Sequence, residues 1–186
     1  IVSIDGQVDL PLSNGDTISV CRSAHTARFV RFSEPEDYYG MLAERLDWLR
    51  RLPSERRIRA EELLVLVCHG SPGSQTEGLS TDLDPSVTIQ RITRTDARVI
   101  ACGHTHVAEV RDFGRRLICN PGSCGFAFDG DAGAAWALIT VDGDEVGAEL
   151  QRAAYDPLPT AEEVGARGLP GDVYRAATIR TGRLVR

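Results

Sequence analysis

The stretch Leu63-Leu64-Val65-Leu66-Val67-Cys68-His69-Gly70-Ser71-Pro72 decides the fold, together with Val99-Ile100-Ala101-Cys102-Gly103-His104-Thr105-His106. Each is an unbroken apolar run ending in glycine and histidine, which is typical of a strand buried on both faces of a parallel sheet. Ligands of open α/β sheets bind at the carboxyl ends of the strands. Three of the four histidines of the chain lie there. This edge is therefore the predicted functional site.

The spacing of the two later histidines favours a metal site. In an extended segment, residues i and i+2 such as His104 and His106 point to the same side, and Gly103 lets the backbone turn sharply before them. Neutral imidazole nitrogens are good ligands for transition metals. With His69 from the neighbouring strand, the imidazoles can converge on one or two cations. A lone histidine is more often an ordinary polar loop residue, but a pair after a buried strand favours metal binding.

A helix is predicted between the two strands. Residues 71–84 form a loop rich in Gly, Ser and Thr, and Asp84-Pro85 then has the pattern of an N-cap followed by the first helical position. Residues 63–103 are therefore predicted to be a β-loop-α-β unit with adjacent parallel strands. Such a unit places His69 and His104 at the same edge of the sheet.

The amino-terminal segment has a different pattern. Residues 1–32 predict a meander of short antiparallel strands, because apolar segments alternate with turn residues such as Asn14-Gly15. An amphipathic helix is expected over residues 36–52, ending before Pro53, and a charged connection over residues 54–62. We expect two parts, a β-rich segment with its closing helix over residues 1–52 and a second part over residues 53–186.

Two further hairpins and a turn follow the second histidine stretch. The hairpins pair residues 107–110 with 116–119, and residues 134–141 with 145–153. The turn Asn120-Pro121-Gly122-Ser123 lies near the sheet edge, where Asn120 could bind substrate through its amide or serve only as a turn residue. Asp129 and Asp131 fit turn chemistry better than metal binding. The tail predicts one short helix over residues 161–166 and then an end rich in Gly and Pro.

Composition limits the classes of function. The formal net charge of -6 argues against nucleic-acid binding, which favours a basic face. The sequence contains no apolar run long enough for a membrane span and no signal-peptide pattern at its start. The five cysteines show no Cys-x-x-Cys spacing. Those within apolar runs are expected to be free thiols, which fits a reducing cytoplasm.

The histidine stretches, together with Asn120-Pro121-Gly122-Ser123, resemble the second half of a calcineurin-like metallophosphoesterase over about residues 46–175. The resemblance implies a mixed α/β fold of layered sheet and helices and a two-metal phosphoester hydrolase. It implies that His69 and His104 bind one cation and His106 the other, with Mn, Fe, Zn or Ni as the metals. His104 is also our candidate catalytic residue. The Asp-x-His, Gly-Asp-x-x-Asp and Gly-Asn-His motifs of the family's first half are absent.

Residues 1–50 resemble the carboxyl-terminal part of an NAD kinase. The similarity rests on Asp5-Gly6, Gly15-Asp16 and the sequence Arg45-Leu46-Asp47-Trp48 that closes the helix. The Gly-Gly-Asp-Gly and Asn-Glu motifs of that family are absent. A different interpretation makes His25 a degenerate form of the phosphoesterase Gly-Asn-His.

Two functions are therefore open. The first is a metal-dependent phosphatase or phosphodiesterase, acting on a phosphorylated small molecule or a phosphodiester, with a metal centre that this chain leaves incomplete. The second is an NAD kinase-related chain or a catalytically silent binding or regulatory module. We expect no membrane partner, and an oligomer is compatible with either function.

Overall fold

A computed structural model describes residues 2–4, 8–10 and 47–186 of the chain. The chain divides into two compact units, Ile1–Arg50 and Arg51–Arg186. In the first unit, β1 (Val2–Ile4) pairs antiparallel with β2 (Val8–Leu10), which confirms the first hairpin of the predicted meander. The predicted strands after residue 10, together with His25, lie outside the described residues.

The helix predicted over residues 36–52 is described only at its carboxyl end. Residues 47–51 are helical, and the guanidinium of Arg50 donates a hydrogen bond of 2.9 Å to the carboxylate of Asp47. Residues 36–46 lie outside the described part of the chain.

A mixed five-stranded sheet forms the centre of the second unit. Its strands lie in the order β3-β4-β5-β7-β6. They are β3 (Glu55–Ala60), β4 (Leu63–Cys68), β5 (Val99–Ala101), β6 (Ala108–Asp112) and β7 (Leu117–Pro121). β4, β5 and β7 are parallel, whereas β3 and β6 are antiparallel edge strands. The predicted parallel pairing of the two apolar runs and the predicted mixed α/β class are confirmed.

The charged connection predicted over residues 54–62 is wrong, because most of it forms β3. The chain reverses between β3 and β4 through Glu61, whose φ is 52°. Among the described residues β3 bonds to β4 alone, and the side chains of Arg56, Arg57 and Arg59 are exposed. An edge strand of this kind has no alternating apolar pattern, and its charges discourage pairing with other chains.

Three helices complete the described part of the second unit: α1 (Pro85–Ile92), α2 (Leu158–Ala166) and α3 (Asp172–Thr181). Asp84 caps α1 as predicted, since its carboxylate accepts a hydrogen bond of 2.8 Å from the backbone nitrogen of Ser86. Among the described residues, none of the helices has the length and apolar character that crossing a bilayer requires.

The prediction of an irregular end after one short helix is wrong. α2 begins at Leu158, and α3 follows it between two left-handed glycines, Gly171 with φ 87° and Gly182 with φ 65°. The buried residues of α3 are Asp172, Thr178 and Ile179. Two of these three are polar, so the sequence of α3 lacks the apolar stripe from which an amphipathic helix is predicted.

The central sheet is covered on both faces. On the face of α1, Leu66 and Ile100 pack with Leu79 and Ile92. On the other face, Val65 and its neighbours pack against the hairpin of β8 (Ala134–Asp142) and β9 (Glu145–Ala153), which was predicted and is confirmed. Successive residues of β4 and β5 therefore point into different apolar layers, which explains why their sequences are unbroken apolar runs.

The β4 strand provides a test of this layering. Leu66 is fully buried, whereas the adjacent Val67 is 39% exposed. We expect Leu66→Ala to lower the free energy of unfolding by about 2–5 kcal/mol, because it leaves a cavity in the core, and Val67→Ala to lower it by less than about 1 kcal/mol. Urea denaturation monitored by circular dichroism measures both. Equal losses for the two variants would contradict the layered arrangement.

Candidate functional site

The parallel pairing of β4 and β5 brings His69 and His104 together. His69 follows β4 directly, and the Nε2 atom of His69 lies 3.1 Å from the Nδ1 atom of His104. The two rings meet edge to face, with centroids 5.0 Å apart. The backbone nitrogen of Gly103 donates a hydrogen bond of 2.9 Å to the carbonyl of His69, so the strand pairing continues into the loops. Both imidazoles are exposed.

The backbone of His104 and His106 is left-handed rather than extended. Their φ angles are 69° and 59°. Residues other than glycine rarely adopt such angles, which cost on the order of 1–3 kcal/mol and persist where the surroundings impose them. The spacing argument assumed an extended segment, and this premise is wrong. The direction of each imidazole is therefore set by the contacts of the loop and not by strand alternation.

Asn120 lies under this loop and is fully buried. Its amide nitrogen donates hydrogen bonds of 2.9 Å to the carbonyl of Gly103 and 2.8 Å to the hydroxyl of Thr105. Its amide oxygen accepts one of 3.0 Å from the backbone nitrogen of Gly122. Both hydrogens of the amide nitrogen are thus used within the protein. The predicted contact between Asn120 and substrate stays a prediction.

His106 is held by the segment that follows the Asn120 turn. Its Nδ1 atom lies 2.6 Å from the carbonyl oxygen of Phe126, and its own carbonyl accepts a hydrogen bond of 3.0 Å from the backbone nitrogen of Phe128. The ring of His106 stacks on Phe128 with centroids 4.6 Å apart. A carbonyl only accepts hydrogen bonds, so Nδ1 carries the proton and the lone pair is on Nε2.

Sequence reasoning missed Phe126 and Phe128. Both rings contact His106, Phe126 edge to face at 5.8 Å and Phe128 by stacking. The available signal was the alternation of Phe126-Ala127-Phe128 directly after the turn, in which Ala127 is buried and the two rings point the other way.

The loop between β4 and α1 packs against His104. A Cβ atom on Gly78 would lie 3.2 Å from Cδ2 of His104 and 3.1 Å from Cγ2 of Thr105, so glycine allows the close approach. The guanidinium of Arg91 donates to the carbonyl of Gly78, and Arg94 forms an ion pair with Glu77. These contacts with α1 and with the residues that follow it hold the loop beside the imidazole.

The nearby carboxylates are occupied by other partners. Asp129 accepts a hydrogen bond of 3.1 Å from the backbone nitrogen of Ala108 and forms an ion pair with Arg152, which also pairs with Asp131 at 3.6 Å. Burial raises the pKa of Glu109. Within the described part of the chain, no group of three or more His, Cys, Asp or Glu side chains is arranged to hold one metal ion.

Burial keeps the neighbouring cysteines protonated. It raises the pKa of the Cys68 thiol to about 11, with Glu55 adding to the effect, and it raises the pKa values of Cys102 and Cys119 as well. Thiolates, not thiols, bind metals and react as nucleophiles. Although Cys68 precedes His69 directly, it acts as a small core residue.

The sequence model of the calcineurin-like phosphoesterase superfamily domain matches residues 2–144. The chain belongs to this superfamily. The resemblance seen in the three motifs is confirmed, and the match also covers most of the segment that resembles an NAD kinase. The superfamily is named for phosphoester hydrolysis, a reaction for which metallophosphoesterases generally use divalent metal ions.

Solved structures agree with the superfamily fold. A metallophosphoesterase from Sphaerobacter thermophilus is 25% identical, with a TM-score of 0.55 over 80% of this chain and 71% of that protein. The hypothetical protein PH1004 from Pyrococcus horikoshii OT3 is 18% identical, with a TM-score of 0.61 over 78% of this chain and 57% of its own length. The second likeness shows the fold alone.

A local similarity to an NAD kinase is also found. The NAD kinase of Geobacter sp. (strain M21) is 36% identical over 50 residues, which are 27% of this chain. The chain spans 17% of the length of that curated relative. The kinase resemblance is thus confirmed as a short similarity beside the superfamily match.

The buried thiols of this calcineurin-like phosphoesterase give a pH-dependent test. Because the pKa of the Cys68 thiol is raised from 9.0 to about 11, the contribution of this thiol to folding stability falls as pH rises from about 9 to about 11.

The reactivity of the same thiol is also testable. At about pH 8 we expect iodoacetamide to label the exposed Cys124 at least about a hundredfold faster than the buried Cys68. Peptide mapping by mass spectrometry measures each site. Labelling of Cys68 at the rate of Cys124 would contradict its burial.

Proposed function

We propose that this chain is a metal-dependent phosphoester hydrolase, acting as a phosphatase or phosphodiesterase, in which the described residues supply the histidines of a two-metal centre. The observation that carries the proposal is the 3.1 Å between Nε2 of His69 and Nδ1 of His104. The two atoms lie at the carboxyl end of adjacent parallel strands, where open α/β sheets bind their ligands.

The spacing of these nitrogens fits two ligands of one cation. Zinc binds imidazole nitrogens at about 2.0–2.1 Å, which places two ligands about 3.3 Å apart in tetrahedral and about 2.9 Å apart in octahedral geometry. The measured separation of 3.1 Å lies between these values. A hydrogen bond between the two rings gives a similar separation in the metal-free protein. Binding of a shared cation would replace the proton of that bond and turn both lone pairs from the line between the nitrogens toward the metal.

His106 is proposed to bind the second cation through Nε2. Its Nδ1 atom donates to the carbonyl of Phe126 at 2.6 Å, which fixes both the tautomer and the orientation of the ring. Histidines that bind metals usually donate their other ring nitrogen to a carbonyl or carboxylate in this way. Mn, Fe, Zn and Ni are the candidate metals.

Divalent cations at such a centre stabilise the charge on phosphoryl oxygens and supply an activated water as the nucleophile. Neutral imidazoles leave the positive charge of the cations uncompensated. Asp129 and Asp131 pair with Arg152, and among the described residues no group of three or more His, Cys, Asp or Glu side chains is arranged to hold a metal ion. We propose that the missing anionic ligands come from outside residues 47–186, or that the chain is inactive.

The remaining assignments depend on this centre. His104 is the proposed catalytic residue, as one of the two histidines that would hold the first cation, and the proposed substrate is a phosphorylated small molecule or a phosphodiester. We retain the division into parts at residues 1–52 and 53–186, a cytoplasmic location and the possibility of an oligomer as proposals.

The 50-residue similarity to an NAD kinase favours a second candidate function. In that case the chain is kinase-related or a catalytically silent binding or regulatory module, and the histidine pair is only a hydrogen-bonded contact. Metal content of the purified protein separates the two functions. One or more ions of Mn, Fe, Zn or Ni per chain supports the hydrolase, and none supports the silent module.

Metal affinity tests the histidine pair. We expect His69→Ala to weaken binding of one Zn²⁺ by at least about tenfold, because it removes one of two ligands to that cation. Isothermal titration calorimetry with Zn²⁺ measures the affinity. His106→Ala is the matched control, since it removes an imidazole that we assign to the other cation. Equal affinity of His69→Ala and the unmodified chain would refute the shared site.

Turnover tests whether the centre is complete. We expect the isolated chain to hydrolyse a generic aryl phosphodiester poorly or not at all in the presence of Mn²⁺, because both cations must be fixed about 3.5–4 Å apart and a bridging carboxylate normally does this. Release of the aryl alcohol is measured by absorbance. Robust turnover that His104→Ala abolishes would show a complete centre, while turnover unchanged by His104→Ala would indicate a contaminating enzyme.

A further inference from the structure

The buried amide of Asn120 holds the loop that carries the histidines. Asn120 is 0% exposed, and its amide nitrogen donates to the residue on each side of His104, at 2.9 Å to the carbonyl of Gly103 and at 2.8 Å to the hydroxyl of Thr105. These two hydrogen bonds span His104 itself. The amide oxygen is occupied by the backbone nitrogen of Gly122.

From these contacts we infer that Asn120 is the positioning residue of the histidine site, acting through Gly103 and Thr105 and not by touching substrate. The inference rests on the proposed metal-binding function. Its amide holds His104 in the left-handed conformation with φ 69° and thereby sets the 3.1 Å separation from His69. Backbone angles of this kind persist only where neighbouring contacts impose them.

The loop contacts extend from Asn120 to both neighbouring histidines. Gly103, whose carbonyl accepts from Asn120, donates its own backbone nitrogen to the carbonyl of His69 at 2.9 Å. The hydroxyl of Thr105 accepts a hydrogen bond from Asn120. It also accepts one of 3.3 Å from the backbone nitrogen of Val107, the residue directly after His106. One buried amide therefore connects the backbone positions of all three imidazoles.

The hydrogen-bond partners around residue 120 match the side chain of asparagine. A planar amide supplies two donors and an acceptor, and the three contacts of Asn120 use each of them. Aspartate has the same shape but donates no hydrogen bond when ionised, and alanine leaves the carbonyl of Gly103 with only the backbone nitrogen of Thr105, at 2.8 Å, as its donor. A substrate contact would require one of the amide's groups to be exposed, and none is.

The experiment compares four variants of the full chain. Asn120→Asp and Asn120→Ala remove the donors, Thr105→Val removes one acceptor and leaves Asn120 in place, and Ile118→Val is a matched control in the same strand. Ile118 is fully buried two residues before Asn120 and packs in the core. Thermal unfolding midpoints show how much each variant destabilises the whole fold.

Two readouts follow for each variant. Amide hydrogen exchange of residues 103–107, measured in metal-free protein by mass spectrometry, reports how firmly the loop is held. Binding of Co²⁺, with its visible absorption spectrum, reports the geometry of the imidazoles. We expect both Asn120 variants to speed loop exchange by at least about tenfold and to weaken Co²⁺ binding by about 10–100-fold with an altered spectrum. Ile118→Val should change neither beyond its effect on global unfolding.

A double variant tests whether the two residues act together. If Asn120 acts partly through Thr105, the loss of Co²⁺ affinity in Asn120→Ala/Thr105→Val is smaller than the product of the two single losses. If the Asn120 variants do not fold, Thr105→Val alone tests the positioning role. Amide exchange of residues 103–107 in Thr105→Val at the same rate as in Ile118→Val would then overturn the inference.

The outcomes separate this inference from the proposed function. Unchanged loop exchange and unchanged Co²⁺ binding in folded Asn120 variants would overturn the positioning role. If the unmodified chain binds no Co²⁺, the proposed metal function fails. Loop exchange in the metal-free protein would then still decide whether Asn120 holds the histidine loop.

Discussion

The parallel pairing of β4 with β5 is the constraint on which the site depends. Val67 lies opposite Ala101 in this pairing, and the next contact beyond it is the hydrogen bond from Gly103 to the carbonyl of His69. The backbone ladder therefore continues past the ends of the strands. The backbone positions at which the two histidines leave the sheet are fixed by the same hydrogen bonds that form it, and the apolar layers on either face hold those strands in register.

The sequence predicted the strands of the site because their signals are local. Unbroken apolar runs, an Asp-Pro helix start and turn residues between alternating segments each correspond to one element of the second unit. β3 and α3 were missed for the opposite reason. β3 is an exposed edge strand with charged side chains, and α3 buries mostly polar residues, so neither has the apolar periodicity on which prediction relies.

The sequence predicted the approach of His69 to His104 but not the backbone geometry of the histidine loop. The association of His69 with His104 follows from topology, since parallel strands end at one edge. The left-handed His104 lies between the two residues that Asn120 contacts, and the carbonyl of the left-handed His106 accepts a hydrogen bond from the backbone nitrogen of Phe128, so the contacts around both residues are distant in sequence. Spacing alone cannot report such contacts, and the aromatic neighbours of His106 were missed for the same reason.

The aromatic setting of His106 has a consequence for the entropy of ligand binding. The ring is stacked on Phe128, meets Phe126 at its edge, and is hydrogen-bonded at Nδ1, so rotation about its side-chain bonds is already restricted in the folded protein. Restricting a mobile side chain on binding costs roughly 0.5–1.5 kcal/mol of free energy. The ring of His106 is already restricted in the folded protein, so ligand binding does not add this cost. A ligand that reaches Nε2 of His106 encounters a preorganised nitrogen, whereas the rings of His69 and His104 are exposed and contact each other edge to face.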